Sequence, residues 1–438
     1  MIPNKTCNKQ KVNLGTQPWL TASPTRDVIK ALTADGAEVR FIGGCVRDAL
    51  VNRPVNDIDI ATPTEPEVVI KLLERFDIKA VPTGISHGTV TAVCRQNSFQ
   101  ITTLRRDEET DGRYAKVAFT DDWASDAMRR DFTINALSAN PAGEVYDYNS
   151  GIADLKYGRV RFIGNAQDRI DEDYLRILRY FRFQANYGLL PLDNDAITAS
   201  RSRARRLSEL SGERVRDELL KILLVLNPGD ILRHMQNAGV LDVILPEATN
   251  INRLFHLTEL ETSIGGITGV APDSLRRLAA LIDPKKNRTA PRSIAARLKF
   301  SRPVRSRFNS FIVPQIKLSP HITKNKQMQL LRKIGAEQMR DLILLSWANE
   351  LTSSTPLPRS QTKTYTSFLE MCAGWQAPKF PLTGTDAINL GIPKGPKIGA
   401  ILKCVEDWWE SHGYTADREQ CLERIYMEAR KTKGQRSD

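Results

Sequence analysis

The sequence predicts an α+β fold, a small mixed β-sheet head followed by an elongated all-α neck, body and tail. Three features predict it. Up to about residue 155, short β-like runs alternate with short helical patterns. Beyond about residue 165, apolar residues recur at helical spacing. At 438 residues the chain is also too long for a single core. The expected division is a flexible leader over 1–24, a head over 25–155, a neck over 156–225, a helical body over 226–352 and a helical tail over 353–438.

Taken in order, PTRDVIKALTADG reads as a helix stopped near Gly36. EVRFIGG (38–44) reads as a strand ending in glycines, VRDALVN (46–52) as a short helix, and DIDIA (57–61) as a strand. PEVVIKLLERF (66–76) is a helix; TVTAVCR (89–95) and SFQITTLR (98–105) form a hairpin turning at Gln96-Asn97. VYDY (145–148) and RVRFIG (159–164) add strand-like pieces. DEDYLRILRYFRFQANYG, SELSGERVRDELLKILLVL and PGDILRHMQNAGVLDVIL then carry helical periodicity, and SSTPLPRSQTKT (353–364) reads as a linker.

The net charge of +12 favours a polyanionic partner, nucleic acid first. Basic residues gather in RSRARR (201–206), DPKKNRTAPR (283–292) and EARKTKGQR (428–436). No apolar run approaches a membrane span, so no membrane partner is expected. The six cysteines, at 7, 45, 94, 372, 404 and 421, form no CxxC pair and the five histidines are dispersed, which speaks against structural zinc and a disulfide framework. The first residues carry lysines and no acid before Asp27. That permits an organelle address, although a disordered leader in a cytoplasmic protein is the preferred reading.

NDIDIAT (56–62) follows GGCVRDALVNRPV (43–55). In a strand, Asp57 and Asp59 share one face, with Cα atoms about 6.7 Å apart. Two such carboxylates either sit on a solvated strand end or hold a hard divalent cation, of which Mg²⁺ beside substrate phosphates is the usual case. Gly43-Gly44 is either a plain turn or a place where backbone N–H groups approach a phosphate, with Arg47 in reach of the same anion. In RRDFTINAL (129–137), Arg130 and Asp131 either begin a solvated helix or contact a sugar and its phosphates. In DEDYLRILRYFRF (171–183), Asp173 and Arg176 are neighbours at i,i+3 if both are helical. They then form either an intrahelical salt bridge or an acceptor beside a donor fork. The second arrangement suits the exocyclic amine and adjacent ring acceptor of C or A, and disfavours U and G. Arg179 and Arg182 continue the same spacing.

GGCVRD, DID, RRDFTINAL and EDYLRILRYFRF, in this order, together with GISHGTV (84–90) and LSGERVRDELLKIL (210–223), resemble the class II tRNA nucleotidyltransferase and bacterial poly(A) polymerase family of the polymerase β superfamily. The resemblance is dense from 36 to about 225. It implies a nucleotidyltransferase head and template-independent transfer of C, C and A from CTP and ATP to a tRNA 3′ end, with no role for DNA. It implies Mg²⁺ on Asp57 and Asp59, two ions activating the attacking hydroxyl and stabilising the leaving oxygen. Gly44 and Arg47 would contact nucleotide phosphates, and Arg130 and Asp131 the ribose. Asp173 and Arg176, with Glu172 beside them, would form a protein template for the base, and Arg179 and Arg182 would add nucleotide contacts. The segment 104–116 would be a flexible loop in the switch from C to A addition, and the tail would bind tRNA.

One departure stands out. The family usually carries Glu where this chain has Gln100, a third acidic residue near the metals. Poly(A) polymerase activity on other RNAs is the alternative within the family, which also includes C-only and A-only adding members. A non-catalytic RNA-binding protein on a decayed transferase scaffold is the alternative outside it. No His is followed by Asp, so no metal-dependent phosphohydrolase activity is expected.

Overall fold

In the computed structural model, residues 12–15, 17–111, 114–263, 270–283, 289–314, 322–352 and 358–434 are described. Residues 1–11 and 16 of the leader, residues 112–113 of the proposed loop, part of each of the second and third basic clusters, and 353–357 of the proposed linker lie outside them. The chain divides into two compact units, one of residues 1–246 with 297–299 and one of 247–296 with 300–438.

The first unit holds the sheet. Its strands are β1 (Arg40–Ile42), β2 (Ile58–Thr62), β3 (Lys79–Gly84), β4 (Thr89–Cys94), β5 (Asn97–Thr103), β8 (Ser138–Ala139) and β9 (Val145–Tyr146). They lie in the order β3-β4-β5-β2-β1-β8-β9, while β6 (Arg105–Asp111) and β7 (Tyr114–Phe119) form a separate two-stranded ribbon. β2 runs parallel to β5 and the other neighbours are antiparallel. The register pairs Ile58 with Phe99, Asp59 with Gln100 and Ile60 with Ile101. Side chains alternate across a sheet, so the apolar set shares one face and Asp59 and Gln100 share the other. Ile60, Phe99 and Ile101 are fully buried. Helices Ser23–Leu32 and Pro66–Arg75 pack against β4.

Several elements differ from the sequence expectation. The segment 104–116 is a β-hairpin in its backbone rather than a loop. RVRFIG makes only an isolated bridge among the described residues, Phe132 to Phe162, and the Phe162 ring stacks on Tyr180 of helix Leu175–Tyr187. The β4–β5 turn sits at Arg95 and Gln96, both at positive φ, one residue earlier than read. The leader is packed from residue 12 onward: Leu14 and Leu20 are buried, Leu14 N–H donates to Gly143 at 2.8 Å, and Trp19 meets Phe41 edge-on at 5.0 Å. Residues 359–364, read as linker, begin helix Arg359–Ala373.

The second unit is helical. A buried ion network ties three of its helices together: Arg276 donates to Glu261 at 2.6 Å and to Asp341 at 2.6 Å, with all three side chains almost wholly excluded from solvent. Toward the C-terminus, Leu382, Val405, Trp409, Cys421 and Ile425 form a separate small core. No helix among the described residues is long and apolar enough to cross a membrane.

Candidate active site

The turn from β1 into helix Gly44–Leu50 opens the site. Gly43 has φ +67°, a backbone conformation that calls for glycine. Its N–H donates to the Leu137 carbonyl at 3.0 Å. Arg47 is buried, donates to Asn135 at 2.5 Å and grips the Asp48 carboxylate at 3.0 and 3.1 Å. Cys45 is buried beneath the same turn, and burial pushes its thiol up to about 12, so it is no nucleophile.

Asp57 is exposed and immediately precedes β2, rather than lying in it; Asp59 lies within the strand and is half-buried. Neither carboxylate has a hydrogen bond or ion pair among the described residues. Burial pushes the Asp59 carboxyl up, Arg130 pulls it down, and the like charge of Asp57 pushes it up again. A pair of unpartnered, mutually repelling oxygen donors is a chemical fit for a hard divalent cation. Gln100 stands next to Asp59 in the register, is exposed, and adds no charge. Among the described residues no three His, Cys, Asp or Glu side chains gather as a metal site, consistent with two carboxylates and an amide.

Arg129 and Arg130 are both held by Asp126, at 2.6 and 3.0 Å. The i,i+3 and i,i+4 spacing in DAMRR is the signal that identifies Asp126. Burial alone would raise the Asp126 carboxyl, but the two arginines hold it below the ordinary value. Asp131 behaves likewise: burial opposes its charge, and Arg179, Asn135 and the Phe132 N–H outweigh it. Its carboxylate accepts three hydrogen bonds, from the Phe132 N–H and Asn135 Nδ2 at 2.9 Å each and from Arg179 Nε at 2.7 Å, and Arg179 Nη2 adds an ion pair at 2.5 Å. A carboxylate has about four acceptor positions. Three hydrogen bonds leave one such position open, so Asp131 positions Arg179 without being saturated.

A folded-state carboxyl below its ordinary value of 3.8 adds stability that is present above that value and lost as pH falls through the folded value. Wild type should therefore exceed Asp131→Asn in unfolding midpoint near neutral pH, and the gap should close below about pH 4. Denaturation midpoints of both proteins across acid pH check this; a gap independent of pH would refute it.

The base-reading pair also differs from the sequence picture. Asp173 is not helical. It has φ −159° and ψ 107° between helices Ala166–Glu172 and Leu175–Tyr187, and its side chain accepts the Leu175 N–H at 3.1 Å. Its other oxygen accepts from Arg214 at 2.7 Å. Arg176 makes no salt bridge to Asp173. Its Nη1 donates to Glu172 and to the Arg169 carbonyl, leaving Nε and Nη2 without partners among the described residues. Asp173 and Arg176 are thus an acceptor and a donor fork that do not neutralise each other.

Gly43, Gly44, Arg47, Asp59, Arg130 and Asp131 line one cavity of about 440 Å³ together with Arg129, Asn135, Asp173, Arg176, Arg179 and Phe183. Five arginines against three aspartates leave it positive, as a polyphosphate requires. Asp57 and Arg182 are not in the lining; Arg182 turns to Glu218 at 2.7 Å. Sequence reasoning missed Asn135, which joins Asp131 to Arg47 from within RRDFTINAL, and Arg214, which lies 41 positions from Asp173.

The family described as "Poly A polymerase head domain" matches residues 39–161, and "Probable RNA and SrmB- binding site of polymerase A" matches residues 190–251. CCA tRNA nucleotidyltransferase 1, mitochondrial, of Mus musculus is 33% identical over 409 residues, covering 91% of this chain and 89% of the relative. The chain belongs to the CCA tRNA nucleotidyltransferase family. The Homo sapiens member is likewise 33% identical, over 407 residues. A CCA-adding enzyme of Oceanobacillus iheyensis is 40% identical over 209 residues, 47% of this chain and 50% of the relative. Among solved structures, the Bacillus stearothermophilus CCA-adding enzyme in complex with CTP superposes with a TM-score of 0.71 at 23% identity, covering 94% of this chain and all of that one. The Thermotoga maritima CCA-adding enzyme complexed with tRNA gives 0.59 at 20%, covering 92% and 94%. These two likenesses establish the shared fold of the family: the mixed-sheet head followed by helices.

Proposed function

We propose that this protein adds C, C and A to the 3′ end of tRNA from CTP and ATP, releasing pyrophosphate at each step. The observation that carries the reading is the cavity, where an unpaired Asp59 and the Arg47 cradle share the lining with Asp173 and Arg176, which do not pair with each other. The tRNA 3′-hydroxyl attacks the α-phosphorus in line, and the bond to pyrophosphate breaks. Gly44 and Arg47 receive the triphosphate, and Arg130 adds positive charge beside it. Asp173 accepts the amine of C or A while Arg176 donates to the neighbouring ring acceptor. Arg179, held by Asp131, contacts the nucleotide from the same helix, whereas Arg182 acts from outside the cavity by fixing that helix to Glu218.

Asp57 and Asp59 would hold Mg²⁺, with the Gln100 amide beside them. When bound, the cation supplies charge stabilisation for the attacking and leaving oxygens. In this reading the head (25–155) does the chemistry, the neck (156–225) reads the base, and the body (226–352) and tail (353–438) bind tRNA. The cytoplasm is the compartment we assign.

The test is extension of a tRNA transcript lacking CCA, with Mg²⁺ and CTP, ATP or both, read as product lengths. Two additions with CTP and three with both are expected, and would show that Gln100 is tolerated. A long ladder with ATP alone would instead mean poly(A) synthesis. Binding of tRNA without extension would mean a decayed scaffold.

A further inference from the structure

Arg47 is tied to helix Leu175–Tyr187 at two places. One route runs from Arg179 through Asp131 and Asn135 to Arg47 Nη1. The other starts at the last residue of the helix. Tyr187 Oη donates to Asp48 Oδ1 at 2.6 Å, and that oxygen also accepts from Arg47 Nε at 3.0 Å. The Tyr187 ring lies 4.3 Å from the Arg47 guanidinium, with Arg53 at 4.5 Å from the same ring.

A guanidinium has five N–H donors. Asp48 and Asn135 use three of those on Arg47, one on each nitrogen. Two remain, on Nη1 and Nη2, and Nη2 lies 3.7 Å from where a Gly44 Cβ would be. The bidentate grip of Asp48 therefore sets the plane in which these free donors meet a phosphate. Asp48 is itself partly exposed and free to rotate toward water unless something holds it. Tyr187 is what holds it.

We propose that Tyr187 is a positioning residue for nucleotide binding, acting through Asp48 to orient Arg47 at the phosphate side of the cavity. The proposal rests on the nucleotidyltransferase reading for its ligand, a nucleoside triphosphate, but not on tRNA as acceptor. Because Arg47 meets phosphates rather than the base, Tyr187 governs affinity for CTP and ATP alike and leaves base choice untouched.

The test compares the full-length protein with Tyr187→Phe, which keeps the ring over Arg47 and removes only the hydroxyl. Dissociation constants for CTP and for ATP, measured with Mg²⁺ and without tRNA, should each rise about 5-fold, in line with the net loss of one ordinary hydrogen bond felt through Asp48. In extension assays KM should rise by the same factor, with kcat within about 2-fold and the C, A and U preference unchanged. Introduced on an Asp48→Ala background, which removes the acceptor, Tyr187→Phe should cause no further loss. Arg53→Ala, which strips the other cation from the ring, should leave both constants unchanged. Unaltered nucleotide affinity in Tyr187→Phe, an altered base preference, or additive losses in the double variant would overturn the proposal. Weakened nucleotide binding in Tyr187→Phe together with a wild type that never extends tRNA would uphold Tyr187 and reject the CCA reading. A wild type that binds neither nucleotide would reject both.

Discussion

Replacing Asp59 with alanine is expected to lower the rate of nucleotide addition by at least about 10³-fold, roughly 4 kcal/mol of transition-state stabilisation. CTP should still bind within about 3-fold of wild type, since Arg47, Arg130 and the Asp173–Arg176 pair are unaffected. The reason lies in the small number of charges available. Asp59 is half-buried, lacks any partner among the described residues, and has only Asp57 as a second carboxylate, because its register neighbour on β5 is Gln100. With no third acid, the site has no spare charge to absorb the loss. Asp59→Asn should be almost as damaging, because an amide keeps the shape and an oxygen donor but loses the charge. Single-turnover extension with saturating CTP measures the effect. Residual activity above about a tenth of wild type would show that Asp59 is not part of the chemical machinery.

Arg176→Ala should change which nucleotide is added more than whether one is added. Arg176 keeps its Nε and Nη2 donors free while Glu172 and the Arg169 carbonyl fix Nη1, so the fork is oriented before any base arrives. Asp173 is anchored by Arg214 and the Leu175 N–H yet retains acceptor capacity. C and A complement this pair; U and G place an acceptor where Asp173 needs a donor. One such two-bond contact is worth about 1–3 kcal/mol of discrimination by analogy with side-chain reading of base edges. Removing Arg176 should therefore reduce the preference for CTP over UTP by about 10- to 100-fold. Competition assays with paired nucleotides on a tRNA lacking CCA measure the ratio. An unchanged ratio would remove Arg176 from base selection.

Much of this site is legible in the sequence, because its parts are local. Gly44 with Arg47, Asp57 with Asp59, Arg130 with Asp131, and Asp173 with Arg176 are each neighbours within a few residues. Short spacing on a strand or turn constrains where side chains go before any tertiary contact forms. The same locality exposed Gln100, since β5 was readable as a strand. The errors also have local causes. Asp173 was placed on a helix because DEDYLRILRYFRF is periodic throughout. Periodicity does not register that the Asp173 side chain caps the Leu175 N–H and breaks the helix there. The loop over 104–116 is implied by the resemblance alone, and the backbone there pairs as a two-stranded ribbon.

By itself, the sequence determined the α+β class, the family, and the inventory of charged side chains that serve the nucleotide. The class follows from periodicity and short-range spacing, while the family and the expected roles of those side chains come from the resemblance of the motifs. Only the tertiary structure decided how each charge is spent. Asp131 is engaged by Arg179 and its neighbours, Arg182 is turned away to Glu218, and Asp48 is held by Tyr187 from 139 positions away. A carboxylate or guanidinium looks the same in a sequence whether it is free or engaged. Its availability depends on partners brought in by folding from distant parts of the chain, and the number of lone pairs and N–H groups left over is what a substrate meets.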